Sequence, residues 1–161
     1  MTPIFLLDDL KKFVQESTED LLLEVKTKKG EDKIIKPAKV FIGNPPVKIG
    51  TEQYIPYIIL RLLTGKDEQK EGENENSTVK VRLIVATYST DSEKGYIDTM
   101  NVVDRLRIEL LKNRVLNNKY ILKFPLEYVV YEDDTGPYTI GEIITEWEIP
   151  SVRQEVNKVW H

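Results

Sequence analysis

The first twenty residues place apolar side chains at helical spacing. Leu6, Leu10, Phe13 and Val14 share one face, and Asp8, Asp9, Lys11 and Lys12 take the other. Thr2-Pro3 ahead of them is an N-cap signal followed by a first-turn proline, so a helix is predicted to Ser17 or a turn beyond. From Leu21 an apolar run tails into Val25 and Thr27, and Lys29-Gly30-Glu31-Asp32 turns the chain toward Ile34 and Ile35. That stretch reads either as a small hairpin or as a helix end and loop. Lys39-Val40-Phe41-Ile42 is a short strand stopped by Gly43-Asn44-Pro45-Pro46, since two prolines end a ladder.

The period then changes to that of a sheet. Tyr54 to Thr64 is apolar on both sides, with Arg61 its only charge, and reads as a central strand covered on both faces. Val79 to Tyr88 sets Val79, Val81, Leu83 and Val85 against Lys80 and Arg82, and should pair with the preceding strand as a long hairpin. Ser89-Thr90-Asp91-Ser92 offers several N-caps for a second helix carrying Tyr96, Met100, Val103, Leu106 and Leu110 to about Asn113. Asn117-Asn118 makes a turn, Tyr120 to Tyr131 a strand interrupted by Pro125, and Glu132 to Pro137 another turn. Tyr138 to Ile149 is the last strand, with Ile143, Thr145, Trp147 and Ile149 inward and Glu142, Glu146 and Glu148 on a solvated face. After Pro150, Ser151-Val152-Arg153-Gln154 resembles a capping box opening a short C-terminal helix through Val156 and Val159. The order predicts an α+β fold: a mixed, mostly antiparallel sheet with two main helices packed on one face. Residues 1–161 form a single domain, with a C-terminal tail at 151–161.

Composition removes much chemistry. A chain of 161 residues, 40% hydrophobic and 31% charged, can bury one core. It has no cysteine, which excludes disulfides, thiolate metal sites and cysteine nucleophiles, and its one histidine is the last residue, His161. A Ser-His-Asp triad has no histidine to use. No signal peptide and no transmembrane span is expected, and no membrane partner. The net charge is -4, which is no footprint for wrapping nucleic acid. That charge is mostly local. Residues 66–77 hold five acids, Asp67, Glu68, Glu71, Glu73 and Glu75, against two lysines and no apolar side chain, and the rest of the chain nets only -1. Such a segment reads as a mobile acidic hairpin tip.

Two further groupings bear on chemistry. Leu21-Leu22-Leu23-Glu24-Val25-Lys26, with Asp8, Asp9 and Asp20 upstream, has the Glu-x-Lys of Mg²⁺-dependent nucleases, although no Pro-Asp precedes it. Asp98, Asp104 and Glu109 lie on the second helix, but Asp98 and Asp104 point to different faces and form no paired-carboxylate site. No glycine-rich phosphate loop exists, and no cofactor is expected.

Several punctuated strings come in a telling order. An opening amphipathic helix precedes Ile42-Gly43-Asn44-Pro45-Pro46, Ile55-Pro56-Tyr57-Ile58-Ile59-Leu60-Arg61 and the polar hairpin tip. Val81 to Ser89, Gly95 to Leu106, Pro137-Tyr138-Thr139-Ile140-Gly141-Glu142 and Trp147-Glu148-Ile149-Pro150 follow. As a set, over residues 1–150, this resembles the tail-terminator (tail-completion) proteins of long-tailed phages and of prophages in Gram-positive bacteria. The resemblance implies a non-enzymatic virion protein of the tail, assembled in the bacterial host cytoplasm. Its subunits would close into a homo-oligomeric, usually hexameric, ring that caps the tail tube. The partners implied are the major tail tube protein and a head connector or neck protein, with DNA only passing through the lumen. A head-tail joining (neck) protein of the same virion is the alternative, and the Glu24–Lys26 nuclease a distant one. Three contact regions are expected: the 66–77 tip, the Gly95 to Arg105 segment with Asp98, Asn101 and Arg105, and the 136–142 turn with Tyr138 and Glu142.

Overall fold

The computed structural model describes residues 2–27, 30–45, 55–132 and 136–155. Helix α1 (Pro3–Thr18) starts after Thr2, whose backbone is extended as an N-cap requires. Its apolar stripe, Leu6, Leu7, Leu10 and Val14, is buried. Strands β1 (Leu23–Val25) and β2 (Ile34–Lys36) form a separate antiparallel two-stranded sheet, the hairpin option of the two the sequence left open.

The main sheet has six strands: β3 (Lys39–Ile42), β4 (Tyr57–Gln69), β5 (Glu75–Tyr88), β6 (Val115–Leu116), β7 (Tyr120–Val130) and β8 (Tyr138–Ile149), in the order β3-β4-β5-β8-β7-β6. Only β3 and β4 run parallel; every other pairing is antiparallel. Helix α2 (Ser92–Lys112) joins β5 to β7 by way of β6. Both helices share one buried cluster with the odd-numbered residues of β5 and β8 and with Ile58, Leu60 and Leu122. Trp147 sits in that cluster, opposite Val79 on β5 and Leu122 on β7.

Helix α2 can lie close to the sheet because β8 has a glycine below it. A Cβ on Gly141 would come within 2.8 Å of Thr99 Cγ2 and 3.0 Å of Val103 Cγ2, distances side chains do not tolerate. The start of α2 is fixed by Asp91, whose carboxylate accepts from the Glu93 and Lys94 amides at 3.1 and 3.3 Å. Asp91→Ala is expected to cost about 1 kcal/mol, the usual loss of an N-cap, read as a lower urea midpoint with unchanged slope.

The structure corrects four expectations. Strand β4 is not covered along its whole length: Ile58, Ile59 and Leu60 are buried, but Leu62 and Leu63 are 40% and 46% exposed, because β3 ends beside Leu60 and no described strand follows it. Tyr54 lies outside the described residues. The hairpin tip is shorter than the expected 66–77, since the β4–β5 ladder runs to Gln69 and Glu75 and leaves Lys70 to Asn74 as the turn. Glu142, expected on a solvated face, is 2% exposed. No helix forms over residues 151–155, where Ser151 spends its hydroxyl on the Glu75 carbonyl at 3.2 Å instead of capping; the rest of the expected helix lies outside the described residues. Pro125 acts as anticipated, falling in a register shift of β7 between Lys123 and Glu127.

Candidate functional site

The candidate residues do not converge on one pocket. They occupy the far end of the hairpin, the exposed side of α2, and the helix-free face of the sheet, and each group has its own chemistry.

At the hairpin end, continuation of the β4–β5 ladder fixes where the acids point. Asp67 accepts from Ser77 Oγ at 2.6 Å, across the strand pair, and Ser151 Oγ lies 3.0 Å from the same serine. Asp67, Glu68, Gln69, Glu75, Ser77 and Val152 line a shallow depression where the chain after β8 passes beside the hairpin. Glu68 pairs with Lys66 at 3.4 Å, and the turn is closed by Gln69 Nε2 donating to the Glu73 carbonyl at 3.1 Å. Glu71 and Glu73 are exposed within that turn.

On α2, Asp98 pairs with Lys94 one turn earlier at 3.1 Å, and Asn101 is exposed. Arg105 reaches across to α1, donating to Asp20 Oδ1 at 2.7 Å and to the Ser17 carbonyl at 3.2 Å. That carbonyl belongs to the last turn of α1, where positive charge suits the helix dipole. The Arg105 hydrogen bond holds the Asp20 carboxyl below its ordinary value, against a smaller opposing effect of burial. Arg105 therefore ties the two helices together.

Tyr138 begins β8 and packs its ring against Tyr88, with centroids 5.6 Å apart. Lys26 Nζ donates to its hydroxyl at 3.3 Å. Glu24, two residues earlier on β1, is 6% exposed; Lys33 and Lys94 approach its two oxygens at 3.8 and 4.0 Å, and its Oε2 has no hydrogen bond. Asp98 and Tyr138 are thus both neighbours of β1, through Lys94 and Lys26. Two of the carboxylates upstream of the Glu-x-Lys triplet are engaged elsewhere: Asp20 by Arg105 and Asp9 by Asn117 at 3.0 Å. Among the described residues no three histidine or acidic side chains stand close enough to share a metal ion.

Glu142 is the most constrained of the candidates. Its register position opposite Ile84 puts it diagonal to Arg82 on β5, and the guanidinium binds both carboxylate oxygens, Nε to Oε1 and an Nη to Oε2 at 3.0 Å. Tyr131, just past the end of β7, donates its hydroxyl to Oε2 as well. The Arg82 hydrogen bonds hold the Glu142 carboxyl below the usual glutamate range, burial opposes them, and Tyr131 adds to the lowering. The same contacts push the Arg82 guanidinium and the Tyr131 phenol up. Nothing in the spacing joins residues 82, 131 and 142. The only available signal is that Arg82 and Glu142 are charges set among apolar neighbours, Val81 with Leu83 and Gly141 with Ile143.

No protein-family model and no curated protein matches the chain.

Proposed function

We propose that this chain is a structural virion protein of the tail-terminator kind. Its subunits close into a ring that caps the tail tube, ends its polymerisation and presents a surface to the head connector. The single observation that carries the reading is the order of punctuated segments from the opening helix to Trp147-Glu148-Ile149-Pro150. The fold supports it by packing the two helical segments on one sheet whose β4–β5 hairpin carries five of the acids to one end. A ring of such subunits needs two different patches on each copy, because head-to-tail contacts are heterologous. Acids turned toward a lumen would keep DNA from adhering during passage.

Electron microscopy of a lysate lacking this protein tests the role. Overlong tails, unjoined to heads, are the expected result. Tails of normal length that fail to join would move the assignment to the neck, and joined tails of normal length would reject both.

A further inference from the structure

One corner of the sheet carries positive charge without a partner. From Arg107 to Lys123 the chain holds five basic residues against one acid, Glu109. Arg107 is paired with Asp104 and Lys123 with Glu148, whereas Lys112, Arg114 and Lys119 are exposed and form no salt bridge among the described residues. Local structure gathers these three. Lys112 ends α2, Arg114 precedes β6, and Lys119 follows the Asn117-Asn118 turn that sends the chain back from β6 into β7. Asp9 reaches the corner from α1, bonded to Asn117, and lowers its charge without pairing with a cation. Apolar surface accompanies the charge. Val115 and Ile121 are register partners, so they share a face, at 56% and 38% exposure, and the Arg114 guanidinium stands 4.4 Å from the centre of the Phe124 ring, itself 61% exposed. Arginine on an exposed aromatic ring beside aliphatic side chains is the composition of an interface anchor.

We infer that this corner is a docking surface for a second copy of the chain, and that its occupant is the acidic tip of that copy's β4–β5 hairpin. Charge selects the occupant. Residues 66–77 hold five acids against two lysines, and Glu71, Glu73 and Glu75 are exposed and form no salt bridge among the described residues. Val152, exposed beside Asp67 and Glu75, gives the tip an apolar neighbour to set against Val115 and Phe124. A nucleic acid would suit the corner but would be repelled by the tip and by a net charge of -4.

Placement favours a match between copies. Ser77 pairs with Ile149, and Glu148 with Ile121, so tip and corner stand at the same end of the sheet, on opposite flanks with β8 between β5 and β7. Beyond Ser77 the hairpin has no β8 partner and projects past the end of the sheet. Copies set side by side bring the tip of one and the corner of the next to the same level. Such a contact uses a different patch on each copy, as a ring contact does. The inference deepens the proposed role by naming the contact between subunits, but it rests on the two patches alone.

Charge reversal tests the pairing with exposed residues only. A tip variant carries Glu71→Lys and Glu73→Lys, a corner variant carries Lys112→Glu and Lys119→Glu, and urea midpoints check that both are folded. Sedimentation velocity of the wild-type protein should show self-association that weakens from 50 to 500 mM sodium chloride, values chosen to span strong and weak screening. Each variant alone should associate roughly 4- to 25-fold more weakly, about two- to fivefold for each exposed pair. An equimolar mixture of the two should regain wild-type association, because each supplies the charge that the other has reversed. Variants that associate as the wild type does, or a mixture that regains nothing, overturn the inference. So does a wild-type protein that stays monomeric up to its solubility limit; a joining defect confined to the corner variant would then give the corner to another virion protein. Association regained by the mixture, in a protein whose loss leaves tails normal, would remove the virion role and keep the contact.

Discussion

Trp147→Ala should lose about 3–5 kcal/mol of stability, enough to leave a domain of ordinary stability largely unfolded. The indole is fully buried between β5, β7 and the helices, and its Nε1–H donates to Thr145 Oγ1 at 2.8 Å, whose own hydroxyl donates to the Val81 carbonyl at 2.9 Å. Truncation removes the largest side chain of the core and leaves a cavity that paired strands on both sides cannot close. Trp147→Phe separates volume from hydrogen bonding. It keeps most of the packing and should cost about 1–2 kcal/mol, part of it from the lost donor. Urea unfolding followed by far-ultraviolet circular dichroism reads both. Equal losses from the two variants would mean that the hydrogen bond, not the filled space, is what Trp147 supplies.

The second large effect is expected at the Arg82–Glu142–Tyr131 cluster. Arg82→Ala leaves a buried carboxylate with only the Tyr131 donor, and should cost about 2–3 kcal/mol; the full penalty of a broken buried pair is reduced because Arg82 is 29% exposed and water can reach its place. Glu142→Gln keeps one acceptor oxygen, which can serve Arg82 and Tyr131 at the Oε2 position, but turns its amide nitrogen toward the Arg82 Nε–H, and should cost about 1–2 kcal/mol. The pH dependence has a definite sign. Because the folded carboxyl titrates below its unfolded value of about 4.3, the unfolded chain binds the proton first, so the cluster's contribution is present above that value. It is lost as pH falls through the folded carboxyl's own, lower value. Wild-type stability should therefore drop on acidification more steeply than that of Glu142→Gln, measured as urea midpoints from pH 6 downward. Parallel acid limbs in the two proteins would show that Glu142 is not held in this way.

Elements with their own local period were readable from residues alone. The Leu6, Leu10, Val14 stripe gave α1, Asp91 ahead of the Tyr96 to Leu110 pattern gave α2, and the alternation from Val79 to Val85 gave β5 with its inward face. What one strand alone cannot show is its neighbour. Tyr54 to Thr64 reads as covered on both sides, yet among the described residues β4 loses its parallel partner, eighteen residues upstream in register, after Leu60, and Leu62 and Leu63 are exposed. Glu142 reads as solvated by alternation with Ile143, and is buried because β5 places Arg82 diagonally beside it. The hairpin tip is shorter than its polarity suggested. Backbone ladder bonds need no apolar side chain and extend the strands to Gln69 and Glu75. Of the site residues, Arg105 illustrates the general difficulty: its charged position on α2 suited an interface, and two long-range hydrogen bonds, to Asp20 and Ser17, engage it within the subunit.

The pairing of β5 with β8 also sets a schedule for synthesis. Strand β5 finds β4 at once, through a five-residue turn, but its other neighbour ends at Ile149, about sixty residues after Tyr88. At 5–20 residues per second the ribosome takes roughly 3–12 s to make that stretch. For that interval the apolar row Val79, Val81, Leu83 and Val85 stands on a hairpin whose far edge is bare. Helix α2, made directly after β5, joins α1 in covering that row, and the capped start at Asp91 lets it form before β8 arrives. The helix thus serves as an early shelter for the centre of the sheet, holding the place that the last strand completes.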